Sequence, residues 1–234
     1  MPRPHRVDYP GAIHHAGTRG NRSEAIVFDD DDRQHLLWLV QRMCEHYDIE
    51  CGAYCLMTTH YHLILKSRAG RISRGMAMLN SWFARWVNAR YDRRGHVFGE
   101  RFFNRVMEDG GYRREVARYL PLNPVRAGVV ADAESWSWSS YAATIGVASA
   151  PSFLSPFIVD EWFGGSQAAY RAWVLAGGGS ETACLDTLFV AYDRRTAVSV
   201  AMNAHGIAFS TIATHLGIKE RTLRERLQVD RSAR

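Results

Sequence analysis

The chain has 234 residues, 47% of them hydrophobic and 23% charged, a composition that excludes a wholly disordered protein and suits one ordinary domain plus a small accessory module. No apolar run approaches the roughly 20 residues needed to span a bilayer. The basic opening MPRPHRVDYP has no apolar stretch behind it, so no secretory leader is expected, and the expected location is the cytoplasm, away from membranes.

The net charge of +5 and a pI near 9.2 favour an anionic partner. Lys66 and Lys219 are the only lysines, so almost all of the basic charge is arginine, which grips phosphate bidentately and stacks on bases. The cysteines, Cys44, Cys51, Cys55 and Cys184, form no CxxC pair and are expected to be buried thiols, not zinc ligands or disulfides.

In chain order, residues 12–18 (AIHHAGT) are predicted as a first strand, ending at the turn Arg19-Gly20-Asn21-Arg22. Asp29–Asp32 supply the acidic start of a helix that continues through Leu36, Val40, Met43 and Tyr47 at helical spacing. Residues 49–57 and 61–66 are short apolar runs separated by Thr58-Thr59-His60, a hairpin. Ile72, Met76, Leu79, Phe83 and Trp86 mark a second long helix, residues 101–107 a fourth strand, and Gly110-Gly111 precedes a helix from about Tyr112 to Leu120. Strand, helix, strand, strand, helix, strand, helix is close to the split βαβ pattern. The fold class is therefore α+β: a ferredoxin-like antiparallel sheet with helices on one face. Beyond it, Trp136, Trp138, Tyr141, Trp162 and Trp173 suggest packing against this domain, Gly177–Gly179 a flexible joint, and about Leu185 a return to helix. The expected division is a main domain over 1–145, a connecting segment over 146–184 and a helical module over 185–234.

Thr59-His60-Tyr61-His62-Leu63 puts two histidines two apart on a strand. The period of two projects both imidazoles from one face, as two legs of a divalent metal site or as a pair satisfied by hydrogen bonds. Arg118-Tyr119-Leu120-Pro121-Leu122-Asn123-Pro124-Val125-Arg126 is polar for a core helix end. Tyr119 is a candidate nucleophile or a core tyrosine, with Tyr112, Tyr91 and Tyr61 as rivals on chemistry alone. Asn123, four residues on, shares its helical face if the turn continues and offers an amide oxygen as a third ligand. Pro121 cannot donate a backbone hydrogen bond, and Pro124 pushes Asn123 away from helical geometry. The helix is therefore expected to end near Leu120, with a turn delivering Asn123.

MTTHYHLIL resembles the histidine–hydrophobic–histidine motif of the HUH endonucleases, and YLPLNPVRAGVV the tyrosine-bearing segment of their single-tyrosine transposases. YPGAIHHAGTRGNR, DDRQHLL and GHVFGERF match further places in the same group, in order, from about residue 6 to residue 142. Within that superfamily the resemblance is to the REP-associated tyrosine transposases. It implies His60, His62 and Asn123 as ligands of Mg²⁺ or Mn²⁺, and Tyr119 as the nucleophile. It further implies a 5′-phosphotyrosine intermediate and a free 3′-hydroxyl able to rejoin strands. The implied partner is single-stranded DNA carrying a hairpin. Arg19, Asn21 and Arg22 of the first turn are implied DNA contacts, and Arg101, Arg105 and Arg126 flank the motif segments where phosphates would lie. Pro121 departs from the group, in which a polar residue or histidine is common there.

Residues 210–223 resemble a helix-turn-helix: Ala213 is the small residue at the crossing, Gly217 the turn, and Ile218 and Leu223 pack inward. Its second helix offers Lys219, Arg221, Thr222 and Arg224 to duplex DNA such as a hairpin stem. A monomer or a homodimer is expected. Two other readings stay open: a DNA-binding regulator on the same fold without turnover, motivated by Pro121, and a metal phosphohydrolase that uses only the histidine pair.

Overall fold

The computed structural model describes residues 7–176, 198, 201–202 and 208–232, in two compact units, 1–175 and 176–234. The first contains the strands β1 (Ile13–Arg19), β2 (Ile49–Leu56), β3 (His60–Ser67) and β4 (Phe103–Val106). Its principal helices are α1 (Asp30–Tyr47), α2 (Ile72–Arg90) and α3 (Gly110–Arg126). The sheet order is β2-β3-β1-β4, antiparallel throughout. Each crossover helix thus returns the chain to a position one strand away, with an antiparallel strand filling the gap, as in a split βαβ unit.

Alternation along the strands divides the sheet into two faces. Ala16 of β1 and Tyr61, Leu63 and Leu65 of β3 point into the main core, against Leu36, Leu39, Val40 and Met43 of α1 and Met76, Leu79 and Phe83 of α2. The expectation of helices on one face holds only for these two. Helix α3 lies against the opposite face, where its Tyr112 bonds His15 and its Tyr119 packs on His62. The cause is in the strands: His15 and His62 alternate with the core residues and are themselves buried, so the second face also needs a cover.

Helix α1 starts as its acidic run implies. Asp29 caps it by accepting from the Asp32 amide at 3.0 Å. Asp32 is fully buried and accepts from the Phe28 amide (2.9 Å), Tyr91 Oη (2.8 Å), Trp86 Nε1 (3.1 Å) and Arg90 Nη1 (2.9 Å). One carboxylate thereby ties the start of α1 to the end of α2. Burial alone would raise its pKa, but these donors and the Arg90 charge outweigh burial and hold it below the usual carboxylate range.

Helix α3 does not end near Leu120 but continues to Arg126 with Pro121 and Pro124 inside it. The missing Pro121 N–H would have served the carbonyl of Ala117. That carbonyl instead accepts from Tyr170 Oη at 2.8 Å, supplied by α5 (Gln167–Ala176), which follows the short α4 (Tyr141–Thr144). The helix then closes with the Ala127 amide on Asn123 O and the Val129 amide on Pro124 O. The tryptophan-rich stretch packs on the first unit, as its composition suggested. Trp136 Nε1 donates to Leu56 O, Trp173 Nε1 donates to Arg114 O, and Tyr141 is buried. Residues 146–175 lie within this same unit.

Cys44, Cys51 and Cys55 are buried free thiols, and burial pushes their pKa values up. Cys184, Gly177–Gly179 and the start of the helical module near Leu185 lie outside the described residues. In the second unit, α6 (Phe209–His215) and α7 (Glu220–Ser232) meet at Gly217, whose φ of +64° suits glycine. Ile212, Ala213 and Leu223 are buried between them, together with Val198 and Ala201, while Ile218 packs at the edge of the cluster. Among the described residues no helix is long and apolar enough to cross a membrane.

Asp32→Ala is expected to lower the unfolding free energy by about 2–4 kcal/mol in urea titrations, since it leaves several buried donors unsatisfied. Because the folded-state pKa of Asp32 is depressed, its contribution is full above the unfolded carboxylate value of about 4 and is lost as pH falls through the folded value. Asp32→Asn should flatten that acid limb. Tyr170→Phe removes the donor to Ala117 O and should cost about 1–2 kcal/mol by the same measurement.

Candidate active site

The second face of the sheet is built by register. Gly17 of β1 lies between His62 of β3 and Phe103 of β4, Arg19 is paired with His60, and His15 with Arg105. His15, Gly17, Arg19, His60, His62, Phe103 and Arg105 therefore share one face. The neighbouring His14 points to the other face, where Nε2 meets Asp8 at 3.2 Å and Nδ1 meets Asn104 at 2.9 Å.

Helix α3 crosses this face with Tyr112, Tyr119 and Asn123 on one stripe, spaced at about two turns and then one. The His60 and His62 rings have centroids 5.1 Å apart, and the Tyr119 ring meets His62 edge-on at 5.5 Å. Asn123 Nδ2 donates to Tyr119 Oη at 2.8 Å. Because α3 continues through its prolines, Asn123 reaches the site as an i+4 neighbour of Tyr119 on the helix, and no turn is needed.

Asn123 also meets His60, where it favours the protonated ring. His60 Nδ1 lies 3.0 Å from Thr59 Oγ1, and its Nε2 is buried without a hydrogen-bond partner. Burial lowers the His60 pKa to about 4, with the Arg19 charge acting in the same direction. The ring is therefore neutral near pH 7, the form that ligates a cation. Among the described residues no group of three His, Cys, Asp or Glu side chains is placed to hold a metal ion. The amide of Asn123, the third ligand expected from the resemblance, lies on this same face beside Tyr119.

The rival tyrosines are committed elsewhere. Tyr61 is fully buried on the α1/α2 side, where it donates to Asn80, and Tyr91 bonds Asp32. Tyr112 shares this face, but its hydroxyl lies 3.2 Å from His15 Nδ1. Sequence reasoning missed His15, Gly17 and Phe103. His15 Nε2 lies 3.2 Å from His62 Nδ1, and Phe103 packs edge-on to His15 at 4.8 Å. The histidine pair in AIHHAGT was a visible signal, but only the strand register says which of the two faces His62.

The arginines sort into distinct roles. Arg126 is exposed and holds its guanidinium 5.5 Å from the Tyr119 ring centre, and Arg105 lies 4.3 Å over Tyr112. Arg22 is exposed, with Asn21 half-buried, in a turn that follows β1 and has positive φ at Arg22 and Ser23. Hydrogen bonds of Gly20 N to Thr59 O and Asn21 N to Val97 O set this turn beside the segment that leads into His60. Arg101 is exposed just before β4. By contrast, Arg90 is taken up by Asp29, Asp31 and Asp32, Arg93 by Glu24 and Arg118 by Glu115. In the second unit Lys219, Arg221 and Arg224 are exposed and Thr222 is half-buried. Arg221 pairs with Glu225 and Arg224 with Glu220 along α7.

Residues 13–121 match the model of the family described as IS200-like transposases. A protein of Haemophilus influenzae named as a REP-associated tyrosine transposase is 25% identical over 112 residues, covering 43% of this chain and 64% of that protein. The chain thus spans just under two thirds of that relative. A solved REP-associated tyrosine transposase bound to a REP hairpin has the same fold, with a TM-score of 0.54 and 16% identity over 66% of this chain and 92% of that one. Through residues 13–121 the chain is similar to the IS200-like transposases, and it resembles the REP-associated tyrosine transposases in sequence and in fold.

Proposed function

We propose that the chain cuts and rejoins single-stranded DNA beside a hairpin, through a 5′-phosphotyrosine on Tyr119. The observation that carries this reading is the grouping on one face: Tyr119 Oη accepts from Asn123 Nδ2 at 2.8 Å, the Tyr119 ring meets His62 at 5.5 Å, and His60 lies 5.1 Å from His62. A phenol and a two-histidine, one-amide ligand set are thereby held together on a buried face.

The buried, orphaned Nε2 of His60 fits a divalent cation, with His62 beside it and the Asn123 amide on the same face to complete the set. Mg²⁺ or Mn²⁺ bound there would polarise the scissile phosphate and offset the charge that develops on it. Tyr119 Oη attacks phosphorus and gives up its proton. The bond from phosphorus to the 3′-oxygen breaks, and the 3′-oxygen takes a proton to leave as a hydroxyl. Asn123 Nδ2–H already donates to Oη and so stabilises the phenolate form, with the Arg126 guanidinium adding positive charge beside the ring. In the reverse step a 3′-hydroxyl attacks the phosphotyrosine, so strand joining needs no external energy source. Arg19, Asn21, Arg22, Arg101 and Arg105 border this face and would hold the phosphates of the strand.

The binding-only reading drew on Pro121. Helix α3 accommodates that residue without displacing Tyr119 or Asn123, which favours the enzyme. For the second unit, we propose that α6 and α7 act as a helix-turn-helix on the duplex stem, presenting Lys219, Arg221, Thr222 and Arg224.

With end-labelled hairpin DNA and Mn²⁺, the wild type should give a band that survives denaturation, and Tyr119→Phe and His60→Ala should each abolish it. Tight native binding without that band in the wild type would leave the DNA-binding regulator. The variant Lys219→Ala, Arg221→Ala, Arg224→Ala should keep the covalent band at saturating DNA. It should weaken duplex-stem binding and reduce the slope of log affinity against log salt by about 1–3.

A further inference from the structure

His62 is not held by the sheet alone. Its Nδ1 lies 3.2 Å from His15 Nε2, and His15 Nδ1 lies 3.2 Å from Tyr112 Oη. All three side chains are buried, His15 completely, and Phe103 closes the side of the His15 ring. A completely buried imidazole between a phenol and a second imidazole is held neutral and carries a single N–H. A neutral imidazole between two partners donates to one and accepts from the other. The chain therefore has only two self-consistent settings. In one, His62 carries its proton on Nδ1, donates to His15 Nε2, and His15 donates from Nδ1 to Tyr112 Oη. In the other, every donor and acceptor is reversed and His62 carries its proton on Nε2.

Only the first setting leaves a lone pair on His62 Nε2, the nitrogen on the far side of the ring from His15. We infer that His15 and Tyr112 are positioning residues that hold His62 in the Nδ1–H tautomer and in one orientation, so that Nε2 ligates the divalent cation. The inference rests on the metal reading of the site. His60 has a simpler counterpart: its Nδ1 lies 3.0 Å from Thr59 Oγ1, a hydroxyl that rotates to accept. Both ligands are gripped at Nδ1, one by a rotating hydroxyl and the other by a buried two-residue chain. Outer partners of this kind typically change metal affinity by about 10–100-fold when they are removed.

The test is Mn²⁺ binding by electron paramagnetic resonance on the full chain, without DNA, for wild type, His15→Phe, His15→Gln and Tyr112→Phe. Nitrogen-15 NMR of the histidines in the Mg²⁺-loaded protein accompanies it. His15→Phe should weaken Mn²⁺ binding by about 10–100-fold. Tyr112→Phe should weaken it less, and His15→Gln, whose amide oxygen can accept from His62 Nδ1–H, should recover part of the loss. The loaded wild type should show His15 and His62 both protonated at Nδ1. Unchanged Mn²⁺ affinity in folded His15→Phe and Tyr112→Phe, or a proton on His62 Nε2 in the loaded protein, would overturn the positioning role alone. Absence of Mn²⁺ binding by the wild type would instead remove the metal reading, and this inference with it. Tyr112→Phe keeps the aromatic body and serves as the decisive variant should His15→Phe fail to fold.

Discussion

The register of β1 at the centre of the sheet is the constraint on which the rest of the site depends. Gly17 lies between His62 and Phe103, and a Cβ there would come 2.3 Å from Tyr61 O and 2.6 Å from Phe103 Cε1. The absence of a side chain lets Phe103 lie over the strand and lets His15 reach His62. A slip of one residue would turn His15 toward α1 and α2 and bring His14 to the site. The large core on the opposite face opposes such a slip, because Ala16 would leave it and His15 would take its place. The packing that stabilises the domain and the alignment of the chemical groups thus follow from the same pairing.

Helix α3 carries the second half of the site on an unusual backbone. Two prolines within two turns would ordinarily end or bend a helix, yet Tyr119 and Asn123 need helical spacing to bond one another. The Tyr170 hydroxyl takes the place of the donor that Pro121 lacks. Residues 146–175, outside the segment that matches the family model, therefore help to hold the helix that carries Tyr119 and Asn123. One hydrogen bond to a main-chain carbonyl thus supports the helix that carries Tyr119 and Asn123.

Much of this was legible in the residues. The period of two in His60-Tyr61-His62 put both imidazoles on one face, and the alternation of strand and helix patterns gave the element order. The end of α3 was not legible, because local rules for Pro121 and Pro124 say nothing of a donor arriving from Tyr170. The partner of His62 was hidden for a similar reason: strand register is a non-local quantity, and AIHHAGT offers two histidines of opposite facing. The arginines were the least legible group. Spacing does not distinguish Arg90, drawn into the aspartate cluster at the start of α1, from Arg126, which stands open beside Tyr119.

Tyr119 is proposed as the residue that becomes joined to DNA, with Tyr112 on the same face as its nearest rival in chemistry. The direct measurement is to trap the protein on a hairpin-bearing single strand with Mn²⁺, digest both components, and sequence the nucleotide-bearing peptide by mass spectrometry. The added mass is expected on Tyr119, attached through a 5′-phosphate. A nucleotide on Tyr112 or on any other residue, with Tyr119 unmodified, would contradict that assignment.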